Sequence, residues 1–215
     1  MKNTQYKVVL IRHAESDKNI KKIHGGKGEK LTERGVQQTI ELSQQLNQCL
    51  DCNNLNLITS SSFHTNATAA ILAQQLGITV GKPIIFRPLN LGVADGLSEQ
   101  ELTQRYPEVQ RLFEKWRARE IDIKQLKVPQ MEPYLDFWQR GLDIIANLPK
   151  DRDSLLVCSN SLMILLANIM LGNHPVNTDR YKHITIRNCG LIAFDTQDFC
   201  SFTLNEQLTT VDIDH

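Results

Sequence analysis

The chain has 215 residues, a length typical of one compact domain that can bury a sizeable apolar core. It carries 24 basic and 24 acidic side chains, so its formal net charge is zero. A neutral chain has no overall field that would gather nucleic acid or bind an anionic membrane surface. Any anionic ligand is therefore expected to be recognised by a local cluster of charges.

The sequence contains no apolar run that approaches the roughly 20 residues of a membrane-spanning helix. Its first residues, MKNTQYK, lack the apolar segment of a secretory signal. The five cysteines are odd in number and scattered, which favours reduced thiols over a disulfide framework. We therefore expect a cytoplasmic protein.

Short apolar runs alternate with helical spacing along the chain, a pattern that predicts an α/β domain with a parallel sheet. Residues 6–11 are predicted to form a first buried strand, and Thr32 is a candidate N-cap for the helix that follows. The apolar face of that helix would contain Val36, Ile40, Leu42, Leu46 and Leu50. The next predicted elements are a strand over 55–59, a helix over 63–76 ended by Gly77, and short strands over 78–80 and 84–86.

The second half of the chain begins with a capping box, in which Ser98 caps a helix and Glu101 stands three positions later. This helix is predicted over 99–119, with Pro107 as a point of interruption. Residues 120–133 have weak periodicity and contain prolines, which is typical of a loop or small lid. The remaining predicted elements are a helix over 134–148, a strand over 154–158, a helix over 162–171 ended by Gly172, and strands over 184–194 and 199–204.

The predicted elements fit a three-layer sandwich, in which helices flank both faces of a mostly parallel central sheet. We expect a single domain over residues 1–215. The segment around 98–133 is expected to be a small helical, lid-like insertion attached to this core.

Two segments with chemically useful side chains, residues 10–13 and 156–160, come at the ends of buried strands. Ligands of open α/β sheets bind beyond the carboxyl ends of the strands, so Arg12 and His13 are expected in a ligand crevice. An Arg presents a fork of donors that matches phosphate, and an imidazole can act as a nucleophile that carries a phosphoryl group. The pair predicts phosphoryl-transfer chemistry in outline.

The stretch LIRHAES, together with Asn19, resembles the signature R-H-G-E-[ST]-x-x-N of the histidine phosphatase superfamily, the phosphoglycerate mutase-like proteins. Ala14 departs from it, in place of the usual Gly. The similarity continues in the family's order through KLTERGVQQ, ITSSSFHTNATAAILA, LNLGVADGLSEQEL, SLLVCSNS and IRNCGLIAF. It therefore covers nearly the whole chain.

This resemblance implies a phosphohistidine mechanism. The first His attacks a phosphoryl group that is held by two Arg and a second His, while a carboxylic acid protonates the leaving oxygen. Arg12 and His13 match the family's residues. At the three other positions, the alignment places His64 for the second Arg, Pro88 for the acid and Asn160 for the second His.

These three departures change the expected chemistry. At position 64, an imidazole that is only partly charged near neutral pH replaces a permanent bidentate cation. Pro88 can neither give nor take a proton, and Asn160 can donate a hydrogen bond but carries no charge. Phosphate binding is accordingly assigned to Arg12, Asn19, His64 and Asn160, with His13 as the nucleophile if the protein is active.

An active enzyme with this set would need a replacement acid. Asp95, in the loop GVADGL, is the tentative candidate, and Glu99 and Glu101 follow it. Each assignment has an alternative: Asp95 as a turn residue, His64 as a residue beside solvent in the first turn of a helix, and Asn160 as a turn residue at a strand end.

Other basic side chains receive structural interpretations. His24, His174 and His183 are expected on the surface or in packing. Lys27 and Lys30 lie in a loop from which they could reach a phosphorylated substrate, but solvated charge on that loop is the preferred interpretation.

The sequence leaves open whether the protein is an enzyme. In the preferred hypothesis, it binds a phosphorylated small molecule or protein group through Arg12, His13 and His64, with turnover weak or lost. In the alternative, it is an atypical phosphomonoesterase that works through a phosphohistidine at His13. A scaffold that uses only its outer surface is a weaker third hypothesis. The resemblance implies no metal or organic cofactor, and no nucleic-acid or membrane partner is expected.

Overall fold

The structure, a computed structural model, describes residues 6–26, 28–81, 87–174, 184–195, 202–203 and 212–213. The α-helices in these ranges are α1 (Asp17–Ile20), α2 (Glu33–Cys49), α3 (Phe63–Leu76), α4 (Glu99–Arg105), α5 (Pro107–Arg117), α6 (Tyr134–Ala146) and α7 (Asn160–Met170). The strands are β1 (Lys7–Arg12), β2 (Leu55–Thr59), β3 (Asp153–Cys158), β4 (Ile184–Thr185), β5 (Leu191–Asp195), β6 (Phe202–Thr203) and β7 (Asp212–Ile213). Short 3₁₀ helices cover Cys52–Asn54, Gly92–Ala94 and Ile123–Gln125.

The main sheet has the strand order β2-β3-β1-β5-β6, with β1 at its centre. β1 and β2 each pair with β3 in parallel, whereas β5 pairs with β1 and with β6 in antiparallel fashion. Among these strands β5 alone runs against the others, so the predicted mostly parallel sheet is confirmed. β4 and β7 form a separate antiparallel pair.

Apolar side chains leave both faces of the sheet, because successive residues of a strand point to opposite sides. On β1, Val8 and Leu10 pack into a core with α6 and α7, whereas Val9 and Ile11 pack into a second core with α2 and α3. Each fully buried side chain of this size contributes about 1.5–3 kcal/mol to folding. The predicted three-layer sandwich is therefore confirmed.

The two predicted helix starts are present. The Thr32 hydroxyl accepts a hydrogen bond from the backbone N–H of Gly35 at 2.9 Å. Ser98 and Glu101 form the predicted capping box, in which the Glu101 carboxylate accepts from the Ser98 backbone N–H at 2.9 Å. Both caps satisfy N–H groups that the first turn of a helix leaves without a partner.

The 98–133 segment contains two helices, α4 and α5, which are separated as predicted before Pro107. Tyr106 leaves the helical conformation there, because a residue before proline is sterically excluded from it. The segment, together with the 3₁₀ helix just before it, encloses a small apolar cluster, whose buried members are Ala94, Leu102, Val109, Phe113, Ile123, Leu126 and Val128. This cluster fixes the position of α5 relative to the loop that follows it.

Some predicted elements are wrong in detail. Val36 is 38% exposed, because the buried face of α2 runs through Gly35, Thr39, Leu42, Ser43 and Leu46 instead. The predicted strand over 78–80 is reduced to one parallel bridge between Val80 and Leu57. The predicted strand over 84–86 lies outside the described residues.

The predicted strand over 184–194 is also wrong, because the chain turns between β4 and β5. The backbone N–H of Gly190 donates to the carbonyl of Arg187 at 2.9 Å, and Cys189 has a φ of 57°. Only residues 202–203 of the predicted strand over 199–204 are described, and they form β6. Within the described ranges, no helix combines the length and the apolar character needed to cross a bilayer.

The start of α2 passes so close to the chain after β1 that a side chain does not fit there. A Cβ built on Gly35 would overlap the carbonyl oxygen of Glu15 and lie 3.0 Å from its carbonyl carbon. We expect Gly35→Ala to lower the free energy of unfolding by about 1–3 kcal/mol, because the clash outweighs the helix propensity that Ala adds. Urea unfolding monitored by circular dichroism measures this.

The matched control is Gln48→Ala, which changes an exposed residue of the same helix. This change is expected to alter the free energy of unfolding by less than about 0.5 kcal/mol. Equal stability of the Gly35→Ala protein and the parent would contradict the close approach of α2 to Glu15.

Candidate active site

A cavity of about 430 Å³ opens at the carboxyl ends of β1 and β3. The structure brings the side chains that the sequence assigned to phosphate binding to this one place, although they lie far apart along the chain. The assigned residues that line the cavity are Arg12, His13, Asn19, His64 and Asn160. Its volume lies within the range of about 300–1,000 Å³ that is typical of small-molecule pockets.

His13 is held by backbone contacts on both sides of β1. Its N–H donates to the carbonyl of Cys158 at 3.0 Å, and its own carbonyl accepts from the side chain of Asn188 at 2.9 Å. The preceding N–H, of Arg12, donates to Gly190 at 2.9 Å. The position of the imidazole is thus set by the two strands that flank β1 and by the turn before β5.

The hydrogen bond of the His13 ring determines its tautomer. Nδ1 lies 2.7 Å from the carbonyl oxygen of Ala14, which can only accept, so Nδ1 carries the hydrogen. In the neutral ring, the lone pair is then on Nε2. This is the arrangement that a nucleophilic imidazole requires.

The surroundings of His13 keep its ring neutral. The side chain is 4% exposed, and burial lowers its pKa well below the ordinary value of 6.5. The neighbouring His64, Arg12 and Lys18 lower the pKa further, whereas the hydrogen bond to Ala14 opposes them. A neutral, buried imidazole with Nε2 unprotonated is therefore the dominant form at neutral pH.

His64 lies directly against His13, with 3.9 Å between the ring centroids. It is 1% exposed, so the alternative of a residue beside solvent is wrong. Its Nε2 lies 3.3 Å from the hydroxyl of Ser62, while Nδ1 is buried without a hydrogen-bond partner in the described structure. Gly28, with a φ of 90°, covers this side of the ring, and a Cβ there would overlap Nδ1.

The backbone segments that carry the two imidazoles are linked by one hydroxyl group. Thr68 accepts from the backbone N–H of Ala14 at 3.1 Å and donates to the carbonyl of His64 at 2.8 Å. This pair of bonds ties the loop after β1 to the first turn of α3. The relative positions of His13 and His64 are therefore built into the fold.

Arg12 supplies a fixed positive charge at the cavity. Its guanidinium donates to the carbonyl of Ile186, and its Nε is buried without a partner in the described structure. Burial lowers the pKa of Arg12, but a guanidinium stays protonated in proteins. A cation with an unsatisfied donor is the group that a phosphate oxygen would contact.

Asn160 is the first residue of α7, whose N-cap Ser159 accepts from the N–H of Leu162 at 3.4 Å. The amide oxygen of Asn160 is buried without a partner in the part of the chain that the structure describes. Rotation of the amide by half a turn exchanges this oxygen for the NH₂ donor. The start of a helix also favours a bound anion.

Asn19 lines the cavity but is also part of the local fold. Its amide oxygen accepts from the backbone N–H of Ser16 at 3.0 Å and lies 3.3 Å from the side-chain nitrogen of Asn188. Asn19 thus helps to hold the turn after His13, in addition to its assigned role in phosphate binding, which stays a prediction.

The structure does not bring Asp95 to His13. Pro88, at the position of the family's acid, does line the cavity. Asp95 is exposed, accepts from the backbone N–H of Leu91 at 3.2 Å, and lines a neighbouring hollow together with Pro88. Glu101 is engaged in the cap of α4.

Among the described residues that line the cavity, Glu99 is the one carboxylate. Arg117 donates to it at 2.6 Å, and Lys22 lies 3.7 Å away. Burial alone would raise the pKa of Glu99, but the hydrogen bond and charge of Arg117, with Lys22, hold it below its ordinary value. Glu99 is therefore ionised at neutral pH and holds no proton to give to a leaving group.

Sequence reasoning missed Lys18, which lines the cavity next to the assigned residues. Its ammonium group donates to the carbonyl of Gly25, and burial lowers its pKa, although Asp95 and Glu29 oppose this. Lys18 could have been proposed as a site residue from the sequence, because it directly precedes Asn19, the last residue of the R-H-x-E-S-x-x-N motif.

Of the two loop lysines for which solvated charge was expected, the structure describes one. Lys30 is exposed and lies 3.9 Å from Asp17, and Lys27 lies outside the described residues. His24 stacks on Phe113 with 4.8 Å between centroids, so packing is confirmed, but it also lines the cavity.

The pH dependence of stability tests the burial of His64. Burial, with Lys18 and Arg12, lowers the pKa of His64 to about 4, below its ordinary value of 6.5. As the pH falls from about 6.5 to about 4, the His64 imidazole binds a proton in the unfolded chain but not in the folded protein. The free energy of unfolding therefore decreases on acidification. A shift of this size corresponds to a loss on the order of 3 kcal/mol.

His64→Gln removes the titrating group, so this variant should lose less stability than the parent between about pH 7 and pH 4. Urea unfolding at the two pH values measures the difference, and the comparison within each protein cancels any constant effect of the substitution. Identical pH dependence in both proteins would show that His64 is accessible to protons in the folded state.

Comparisons with known proteins agree with this geometry. The sequence profile of the histidine phosphatase superfamily (branch 1) matches residues 8–205. A relative named probable phosphoglycerate mutase GpmB, from Erwinia tasmaniensis, is 30% identical over 200 residues, which is 88% of this chain and 85% of the relative. A protein of the same name from Yersinia pestis is 29% identical over 197 residues, 89% of this chain and 85% of the relative.

Solved structures show the same fold. Bacillus stearothermophilus YhfR superposes with a TM-score of 0.74 and 17% identity, over 97% of this chain and 96% of that one. A mycobacterial glucosyl-3-phosphoglycerate phosphatase gives a TM-score of 0.71 and 20% identity, over 97% of this chain and 98% of that one. From its sequence and its fold, the chain belongs to the histidine phosphatase superfamily.

Proposed function

We propose that this protein binds a phosphorylated small molecule or protein group in the His13 cavity, with conventional phosphatase or mutase turnover weak or lost. One observation carries the proposal. The cavity combines the half-buried cation of Arg12 and a nucleophilic imidazole with no protonated carboxylic acid, since Glu99, the one carboxylate among the described lining residues, is ionised at neutral pH.

The charge balance of the cavity supports binding of an anion. Among the lining residues that the structure describes, four side chains are cationic, against the one carboxylate of Glu99; they are Arg12, Lys18, Lys22 and Arg117. Because Arg12 and Lys18 are largely withdrawn from water, their attraction for a phosphate is screened less than at the surface. Phosphate is therefore the ligand group that best fits the His13 end.

The residues that replace the family's other catalytic groups support weak turnover. His64 is neutral at neutral pH, so it offers the developing charge no second fixed cation. Losing one preorganised donor costs on the order of 10²- to 10³-fold in rate. The absence of an acid at Pro88 costs about a further 10²- to 10⁴-fold, although such losses need not multiply.

The names of the relatives and structural neighbours point in the same direction. They describe a mutase of phosphoglycerate and a phosphatase of a glucosyl phosphoglycerate. A phosphomonoester is the chemistry common to these names, and it fits the cavity of this chain.

We also propose a cytoplasmic location, which the free thiols of the described cysteines support: Cys49, Cys52, Cys158 and Cys189.

The alternative function is an atypical phosphomonoesterase. The hydrogen bond from His13 Nδ1 to Ala14 favours it, because that bond leaves the Nε2 lone pair ready to attack phosphorus. In such a reaction, the P–O bond of the ester breaks as the P–N bond forms, and the leaving alkoxide takes a proton from a cavity water, which becomes hydroxide. That hydroxide then attacks phosphorus, the P–N bond breaks, and neutral His13 and inorganic phosphate are released.

Calorimetric titration with phosphomonoesters, run beside an assay of phosphate release, separates these functions. We expect binding with little turnover, and binding weakened at least about tenfold by Arg12→Ala, because a buried charge-assisted hydrogen bond is lost. Lys30→Ala, which removes an exposed cation outside the cavity, is the control and should leave affinity unchanged. Rapid phosphate release that His13→Ala abolishes would favour the phosphomonoesterase instead.

Restoring the family's groups tests why turnover is weak. We expect the triple change His64→Arg, Pro88→Glu and Asn160→His to raise the rate of phosphate release at least about a hundredfold, because it returns a cation, an acid and an imidazole. Addition of His13→Ala to this variant should abolish the gain. An unchanged rate in a folded triple variant would mean that these positions do not limit turnover.

A further inference from the structure

We propose that the ligand is a phosphomonoester with an apolar, ring-sized or branched organic part, which binds against an apolar wall of the same cavity. This inference rests on the proposed function, since it assumes that the phosphate group lies at Arg12 and His13. It adds the chemical class of the remainder of the ligand. The wall consists of Leu89, Leu91, Phe113, Trp116, Ile123 and Leu126.

The wall is a fixed surface built from two parts of the chain. Phe113, Ile123 and Leu126 belong to the buried cluster of the 98–133 segment, and Trp116 packs against that cluster. Leu89 belongs to the core on the α6 and α7 side of the sheet. Because both parts are anchored in packed apolar cores, the wall is present before a ligand binds.

The charged groups nearest to the wall are paired with one another, whereas Nε2 of His24 is buried without a hydrogen-bond partner in the described structure. Glu99 is paired with Arg117 and Lys22, which together form a charged rim. His24 lies flat on Phe113, with 17° between the ring planes. Burial and the charge of Arg117 lower the pKa of His24, so its ring is neutral and adds no charge to this side.

The wall therefore favours one kind of organic group. An apolar group removed from water against it gains the hydrophobic contribution of the buried area. A polyol would lose several hydrogen bonds to water and would find one unpartnered ring nitrogen, Nε2 of His24, on this side, since the charges of Glu99, Arg117 and Lys22 are paired. A cavity of about 430 Å³ has room for a phosphate and a group of one ring.

Calorimetric titration with three probes tests this inference: inorganic phosphate, phenylphosphonate and 2,3-dihydroxypropylphosphonate. The C–P bonds of the two phosphonates resist hydrolysis, so turnover cannot disturb the measurement. We expect phenylphosphonate to bind at least about tenfold more tightly than the dihydroxypropyl compound, because its phenyl ring is removed from water against the apolar wall.

Trp116→Ala should reduce that preference at least about threefold while leaving the affinity for inorganic phosphate unchanged. Leu112→Ala is the matched control, since Leu112 lies on the same helix and packs against the same cluster without lining the cavity. Trp116→Phe, which keeps a ring, should retain most of the preference. Unchanged binding of inorganic phosphate confirms that each variant is folded around Arg12 and His13.

Two other outcomes separate the inference from the proposed function. If inorganic phosphate binds but the dihydroxypropyl compound binds as tightly as phenylphosphonate or more so, the apolar class is wrong and phosphate binding stands. If none of the three probes binds, the proposed function fails, and the inference fails with it.

Discussion

The central position of β1 is the constraint on which the site depends. β1 pairs with β3 on one side and with β5 on the other, and Arg12 and His13 come where this pairing ends. The same register places Asn160 just beyond the end of β3, beside His13. A slip of one residue in β1 would turn its buried side chains to the opposite faces of the sheet, so the hydrophobic layers lock the site residues in place.

Burial gives the cavity an unusual electrostatic character. Arg12 stays charged, whereas His13 and His64, although 3.9 Å apart, are held neutral by burial and by the cations around them. Two neutral imidazoles avoid mutual repulsion while the cavity is empty of anions. An arriving phosphate would meet the guanidinium of Arg12, the ammonium group of Lys18 and a nucleophile but no protonated carboxylic acid, which is an arrangement suited to binding more than to turnover.

Much of the fold could be predicted from the sequence, because helix caps, strand ends and proline breaks depend on residues close together in the chain. The strand ends, the caps at Thr32 and Ser98, and the interruption at Pro107 follow from periodicity and backbone chemistry. The expected convergence of Arg12, His64 and Asn160 rested on the resemblance to the histidine phosphatase superfamily, whose site residues align with these positions. By contrast, the exposure of Val36 depends on where α2 packs, and no helical periodicity specifies that orientation fully.

The parts of the site that were missed depend on bonds between side chains and the backbone of irregular loops, which no periodicity specifies. The ammonium group of Lys18 is held at the cavity by a hydrogen bond to the carbonyl of Gly25 in a neighbouring loop. Asp95 lies outside because its carboxylate accepts from Leu91 in its own turn. A crystal structure with bound tungstate tests the central claim most directly. The account predicts the oxyanion at Arg12 and at Nε2 of His13; an oxyanion bound elsewhere, with this cavity empty at saturating tungstate, would contradict it.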